Sequence, residues 1–452
     1  MNLADSLLHC QTASVIKKMK VIMSVTATHK TQNSTAKILF ASLIGTGIEF
    51  FDFYIYANAA VLVFPALFFP EGNPQAALMQ SFATFAVAFF ARPLGSAVFG
   101  HFGDRVGRKV TLVLALMTMG LSTVLIGLLP SYATIGIWAP MLLVLCRFGQ
   151  GLGLGGEWGG AVLLATENAP PNRRAWYGMF PQLGAPIGFI LSGGIFLLLS
   201  EQLTDAQFMS YGWRIPFILS SLLVILGLYI RLNIHETPEY LKYRQQHQPV
   251  KVPVWHTLRF HFSELCIGTL LALSAFVLFY LMTVFTLSWA TSQMGFSRAE
   301  FLRFELWSAL ALGIFIPISG WLTDKFGAFL IQLLALLWIL LMGWGFGGLF
   351  ASAQALQVLL FLCLGMAAMG MTYGPLSTML ASLFPTQVRY TGCSVSFNMA
   401  GILGASFAPF VATWLASSYS VAAVGWYLSG ASIISMLALL WMRSNQRKKL
   451  AD

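Results

Sequence analysis

The sequence predicts an all-α, polytopic membrane protein with twelve transmembrane helices in two pseudo-symmetric six-helix bundles, and three observations predict it. Of 452 residues, 57% are hydrophobic and only 9% charged, with a mean hydropathy of +0.75; soluble domains carry about 45–50% apolar and about 25% charged residues. The apolar residues fall in unbroken runs of the roughly 20 residues that cross a hydrocarbon core of about 30 Å, which excludes an aqueous globule. Short polar motifs between these runs recur in the two halves of the chain.

Taken in order, the predicted spans are 38–65, 77–100, 109–129, 138–165, 174–200 and 213–233, then 265–292, 302–322, 327–349, 354–381, 391–416 and 420–442. Most connections are short. The long exception carries Glu236, Pro238, Glu239, Lys242, Arg244, Pro249, Lys251 and Pro253, and divides the halves. The expected organisation is a disordered cytoplasmic leader (1–36), an N-terminal bundle (37–233), a cytoplasmic linker (234–262), a C-terminal bundle (263–442) and a cytoplasmic tail (443–452). The leader is polar and basic, and the first apolar run is too long and too acidic for a cleavable signal peptide.

Positive charge sets the expected orientation. Of the 26 lysines and arginines, Arg298 and Arg303 fall on one side, Arg92, Arg147 and Arg214 lie within spans or at their ends, and all the others fall on the opposite side. Basic loops are retained in the cytoplasm, so both termini are expected there, in a multi-pass protein of the bacterial inner membrane. The net charge of +10 is dispersed, with no basic face interleaved with aromatics, so no nucleic-acid partner is expected. The expected partners are the lipid bilayer, protons and a small-molecule substrate, with a monomer as the working unit. Cys10, Cys146, Cys266, Cys363 and Cys393 are odd in number and widely spaced, which predicts free thiols and no metal site.

A charged side chain in mid-membrane costs about 2.5–3.5 kcal/mol on insertion scales, so each one needs a partner, a cavity or a task. Glu49 and Asp52 are three residues apart in span one, with Tyr56 a turn further. At 1.5 Å per residue the two acids lie about 17 and 21 Å deep, on what the spacing reads as one helical face. Arg92 in span two and Arg147 and Glu157 in span four complete a set of five, all in the first half. Spans seven to twelve show no comparable interior charge. Proton coupling is therefore assigned to Glu49, Asp52, Arg92, Arg147 and Glu157, with a static buried ion pair as the competing structural reading.

The turn after span two reads GHFGDRVGRK from Gly100, and GWLTDKFG from Gly320 corresponds to it after span eight, 220 residues later. Before spans five and eleven, Pro170 to Arg174 matches Pro385 to Arg389 at an offset of 215. Such a duplication places a substrate site between the halves near mid-membrane. Gly100, Asp104, Arg105, Gly107, Arg108, Lys109, Asp324 and Arg389 form the candidate cytoplasmic gate, with Asp104 suited to face the N-terminus of a neighbouring helix and Arg105, Arg108 and Lys109 to pair with carboxylates. A basic headgroup anchor is the plainer alternative. Gly151, Gly153 and Gly156 satisfy GxGxxG, but no strand precedes them, and inside a span small residues serve close helix packing. Glycines and prolines in spans five and eleven suit rocking helices. Tyr56, Gln182, Tyr280, Trp307, Tyr373 and Asn398 are candidate cavity residues, though residues such as the last five more often serve as interhelical hydrogen bonds or interfacial aromatics. No catalytic constellation is present, so the chain is not expected to be an enzyme or to need a cofactor beyond a proton gradient.

With GHFGDRVGRK after span two, RFGQG from Arg147 and HETPEY from His235, the chain resembles the major facilitator superfamily. GIEFFDFYIYA from Gly47, ARPLGSAVFGHFGDRVGRK from Ala91, GGEWGGAVLLATENAP from Gly155 and FPTQVRYTG from Phe384 resemble, more narrowly, its metabolite:proton symporter family. The likeness runs from Lys37 to Arg443. It implies proton-driven uptake of a small polar metabolite, since relatives carry shikimate, α-ketoglutarate, citrate, or proline and betaine. It also implies that Glu49 and Asp52 are the family's helix-one acids, Arg92 its helix-two arginine, and Arg147 and Glu157 its helix-four positions. The second gating motif departs from the first, with Ala328 and Phe329 in place of Arg108 and Lys109.

The expected function is proton-coupled transport of a small organic carboxylate, zwitterion or similar metabolite by alternating access. Proton-driven efflux of amphipathic drugs such as quinolones on the same fold is the alternative. A non-transporting membrane sensor is the third, weakened by short tails that offer no signalling domain.

Overall fold

The structure is a computed structural model that describes residues 35–451 except 71, 107, 156, 233–252 and 386–387. The expected leader to residue 34 and most of the expected linker lie outside the described residues. Without water in the bilayer core, backbone polar groups must pair within their own segment, and among the described residues the regular structure is entirely helical.

The N-terminal bundle contains α1 (Thr35–Leu62), α2 (Pro74–Val106), α3 (Arg108–Leu128), α4 (Trp138–Leu154), α5 (Glu157–Glu167), α6 (Arg174–Gln202) and α7 (Ile215–Leu232), with α4 and α5 together making the fourth crossing. The C-terminal bundle begins with α8 (Phe262–Tyr280), a π-helical turn (Leu281–Phe285) and α9 (Thr286–Gln293), which form one crossing. It continues with α10 (Arg298–Phe326), α11 (Ala328–Gly345) and α12 (Ala355–Leu383). The eleventh crossing is α13 (Arg389–Ala400), a π-helical turn (Gly401–Ser406) and α14 (Ala408–Ser418), and α15 (Val421–Ala451) is the last. Ten crossings are long and apolar enough to span a membrane on their own; the third contributes a shorter apolar stretch, Val113–Leu128, and the fourth is divided. Large apolar side chains such as Trp344 and Trp426 lie exposed on the outside, as lipid contact requires.

Helical structure continues into two of the expected segments outside the bundles. A short helix, Pro253–Phe260, occupies the end of the expected linker, and α15 runs on to Ala451 through the expected tail. Its polar end, RSNQRKK, lacks Gly and Pro, so nothing local stops the helix where the apolar run ends.

The two bundles repeat one packing scheme. In the first, Gly151 and Gly155 press against the backbone of α2 at Ala88 and Arg92; in the second, Gly370 and Gly374 press against α10 at Leu312 and Gly320. Likewise Gly184 and Gly188 of α6 meet α1 at Gly47 and Phe51, while Gly404 meets α8 at Phe276. A β-carbon at these positions would strike backbone or side-chain atoms, so the glycines set the close approach of helices. Of the GxGxxG run, Gly151 and Gly153 are both on α4, where Gly151 packs against α2 at Ala88 and Gly153 against α3 at Ala115 and Met119, whereas Gly156 is outside the described residues. The bundles meet along two seams, α6 against α10 and α2 against α13 with its following π-turn. Alternation of the crossings places Lys325, the start of α6, Arg389 and the end of α15 at one face, here the basic face, with Glu201, Arg298 and Arg303 at the opposite face.

Candidate functional site

A cavity of about 40 Å³ lies between the bundles. The N-terminal bundle contributes Glu49, Phe50, Phe53, Tyr54, Arg92, Leu154 and Trp158, and the C-terminal bundle contributes Phe276, Phe279, Tyr280, Met369, Tyr373, Phe397 and Asn398. Small-molecule sites begin at about 300 Å³, so this state is closed on a space that holds a few waters at most. Five of the candidate residues, Glu49, Arg92, Tyr280, Tyr373 and Asn398, line it together. Arg92 lies over the rings of Phe53 and Phe89, at 4.7 and 4.6 Å from their centroids, and its Nε has no hydrogen-bond partner among the described residues. An acid and a base therefore share a largely aromatic wall. Both π-turns of the seventh and eleventh crossings adjoin it, one directly after Tyr280 and the other three residues after Asn398.

Aromatic rings close the cavity toward the opposite face, with Tyr54 stacked on Phe279 at 5.4 Å and Phe53 edge-on to Tyr280 at 6.3 Å. Toward the basic face, Trp158 stacks on Phe397 at 3.7 Å. Asn398 Nδ2 donates there to the Gly155 carbonyl at 3.0 Å and to Ser96 Oγ at 3.2 Å. Nearer the basic surface, Arg389 pairs with Glu167 at 3.7 Å. Asp324 accepts from the backbone N–H groups of Ala175 and Trp176, both at 2.9 Å. This carboxylate bonds the unsatisfied amides that open α6, the positive end of the helix dipole, and so ties the bundles together without the basic pair that its motif lacks. The side chains of Asp104, Arg105, Arg108 and Lys109, the surroundings of Gly100, and all of Gly107 lie outside the described residues.

The remaining candidates lie elsewhere. Three residues along a helix is about 60° of rotation, and it separates Glu49, on the cavity, from Asp52, which points between α3 and α7. There Ser220 donates to one carboxylate oxygen at 2.5 Å and Thr123 to the other at 3.2 Å. Gln150 donates to Thr123 at 2.7 Å, and Arg147 donates to Gln150 at 2.9 Å. The Arg147 guanidinium is packed on Tyr56, Phe53 and Phe85, and Tyr56 donates to Thr84 at 2.8 Å. Tyr56 is thus a wall for Arg147 rather than for substrate. Gln182 stands behind the cavity, accepting from Trp158 Nε1 at 3.1 Å. Glu157 is buried at the start of α5 outside the cavity lining. Trp307 is 61% exposed and faces outward from α10, so its place is at the lipid boundary and not in the cavity.

Sequence reading missed Thr123, Gln150 and Ser220, for which single polar residues in apolar runs are the only signal. It also missed Glu305: the expectation that spans seven to twelve hold no interior charge is corrected by this acid of α10, 1% exposed. Its position near a span end, beside the surface residue Arg303, disguised its burial.

Two six-helix bundles closed around a central cavity define a membrane transporter rather than an enzyme. The sequence profile of the sugar (and other) transporter family matches residues 37–251. The chain is 54% identical to the inner membrane metabolite transport protein YhjE of Escherichia coli over 92% of this chain and 96% of that one. It is 38% identical to the shikimate transporter of E. coli over 90% and 94%. The solved structure of the proton:xylose symporter XylE of E. coli superposes with a TM-score of 0.70 at 20% identity, over 91% of this chain and 95% of that one. The chain belongs to the metabolite transporters of the major facilitator superfamily and carries small organic molecules across a membrane.

Proposed function

We propose that the protein couples movement of a small organic metabolite, a carboxylate or zwitterion, to a proton by alternating access of the central cavity to the two faces. The observation that carries this reading is that Glu49 and Arg92 line one small, largely aromatic cavity between the bundles. Arg92 supplies a fixed positive charge for a substrate carboxylate, and Glu49 supplies a carboxyl that gains or loses a proton as the cavity is wetted. Asp52, in contact with Ser220 and Thr123, is the second proton-carrying group, coupled to Arg147 through Gln150. Burial and a nearby base act on a carboxyl in opposite directions, and this competition lets one structural change switch its protonation. The basic face is the cytoplasmic one in this scheme, by the retention of Lys and Arg. Asp324, Arg389 and the turn from Gly100 to Lys109 gate that side.

Relatives named for shikimate and for proline and betaine set the first substrates to try. Purified protein in liposomes with an imposed pH gradient should concentrate one of these, and collapse of the gradient should release it. Accumulation that is indifferent to the gradient would overturn the coupling.

A further inference from the structure

Glu305 lies on α10, seven residues from the end at the opposite face, or about 10 Å along the axis. Leu312 and Ile316 of the same helix touch Gly370, next to Met369 of the cavity wall, so Glu305 stands outward of the cavity. It shares the buried face of α10 with Phe301, Ser308, Ala309 and Leu312, directly away from Trp307 and the lipid. The residue is 1% exposed, and neither carboxyl oxygen has a hydrogen-bond partner among the described residues. An ionised carboxylate buried in this way, with no donor among the described residues, is strongly disfavoured, so the closed state holds the neutral acid.

Among the described residues, no basic group contacts the Glu305 carboxyl. On α6, which packs against α10, the titratable or charged groups are Arg174, Tyr177 and Glu201; on α12 they are Cys363 and Tyr373; α9 and α11 carry none. On α10 itself they are Arg298, Glu300, Arg303, Asp324 and Lys325. Arg303 is engaged by Glu201 of α6, and Arg298 lies 3.4 Å from Asp205. These two pairs bridge the bundles at the opposite face, at the mouth of the seam between α6 and α10. Separation of the bundles at that face breaks the pairs and wets the seam.

We propose that Glu305 is a proton-binding site of the C-terminal bundle, loaded when the opposite face is closed and emptied to water when it opens, so that deprotonation favours opening. The inference rests on the alternating-access reading given above. A group that binds its proton more tightly in the closed state shifts the equilibrium toward the open state as pH rises, by up to about tenfold per pH unit for one proton.

The test uses full-length protein in liposomes with its native cysteines replaced by alanine and Gly193→Cys introduced. Gly193 faces Leu306 across the seam, next to Glu305 in sequence. The alkylation rate of this thiol, divided by that of a fully exposed reference thiol at each pH, reports opening. The normalised rate is expected to climb severalfold or more with pH in the parent protein, to be low and flat in Glu305→Gln, and to keep its slope in Glu305→Asp. The same slope in Glu305→Gln as in the parent overturns the proposal, and so does a parent without any slope. Accumulation of shikimate, proline or betaine under a pH gradient, measured on the parent in parallel, separates the readings: gradient-driven accumulation with an unchanged Glu305→Gln slope removes only Glu305, and accumulation indifferent to the gradient removes proton coupling itself.

Discussion

Trp158 and Phe397 lie face to face across the boundary between the bundles, 3.7 Å between ring centroids and 4° between ring planes. One belongs to α5 and the other to α13, and both line the cavity. Their stack walls the cavity on its basic side, and under the alternating-access proposal it parts when that face opens.

Replacing Trp158 by Ala is expected to favour the state open at the basic face. An aromatic pair contributes about 0.5–1.5 kcal/mol beyond its buried area, which is about a 2- to 12-fold change in equilibrium. Cys393 lies one helical turn from Phe397 and is buried in the closed state. Mass spectrometry should find it alkylated several times faster in the variant.

Asp324→Ala removes the acceptor from Ala175 and Trp176. Hydrogen bonds to a charged group contribute about 1.5–3 kcal/mol, so hydrogen exchange of these two amides should quicken by roughly tenfold or more. Asp324→Asn keeps one acceptor oxygen and should fall between the two. Exchange that is unchanged in Asp324→Ala would show that the contact does not hold the gate.

Glu49→Gln and Asp52→Asn are expected to abolish accumulation driven by a pH gradient while leaving exchange of labelled for unlabelled substrate. Glu49→Gln should also alter the apparent substrate affinity, because Glu49 lines the cavity and Asp52 does not. Wild-type accumulation in both variants removes them from the coupling scheme.

Gln150→Leu interrupts the relay between Asp52 and Arg147 and leaves buried donors and acceptors unpaired. The cost is about 1–3 kcal/mol, read as a lower Tm in detergent. Trp307→Leu, on the lipid side of α10, should leave transport kinetics unchanged, whereas Tyr373→Ala in the cavity wall should change the substrate KM.

The crossings and their grouping were legible in the residues because runs of apolar side chains and the charges between them report directly on the lipid solvent. Tyr280, Tyr373 and Asn398 were legible as cavity candidates, and Glu49 and Arg92 as buried charges in need of a partner, a cavity or a task, for a similar reason: polar or amphipathic groups in mid-membrane must face something other than lipid. Asp52, Tyr56, Gln182 and Trp307 show where that reasoning stops. Each satisfies its polar atom or its ring in a different direction, and a linear spacing states only relative angles around a helix.

Sequence alone determined that this chain lives in a membrane, crosses it in two related sets of six helices, and concentrates charge in the first set. Only the tertiary structure decided which of those charges meet at one cavity, that Trp158 and Asp324 bind the bundles together, and that Glu305 is buried without a partner. The physical reason is that partition into lipid depends on composition summed along a segment. Hydrogen bonds and cavities depend on which faces of distant helices are rotated toward one another.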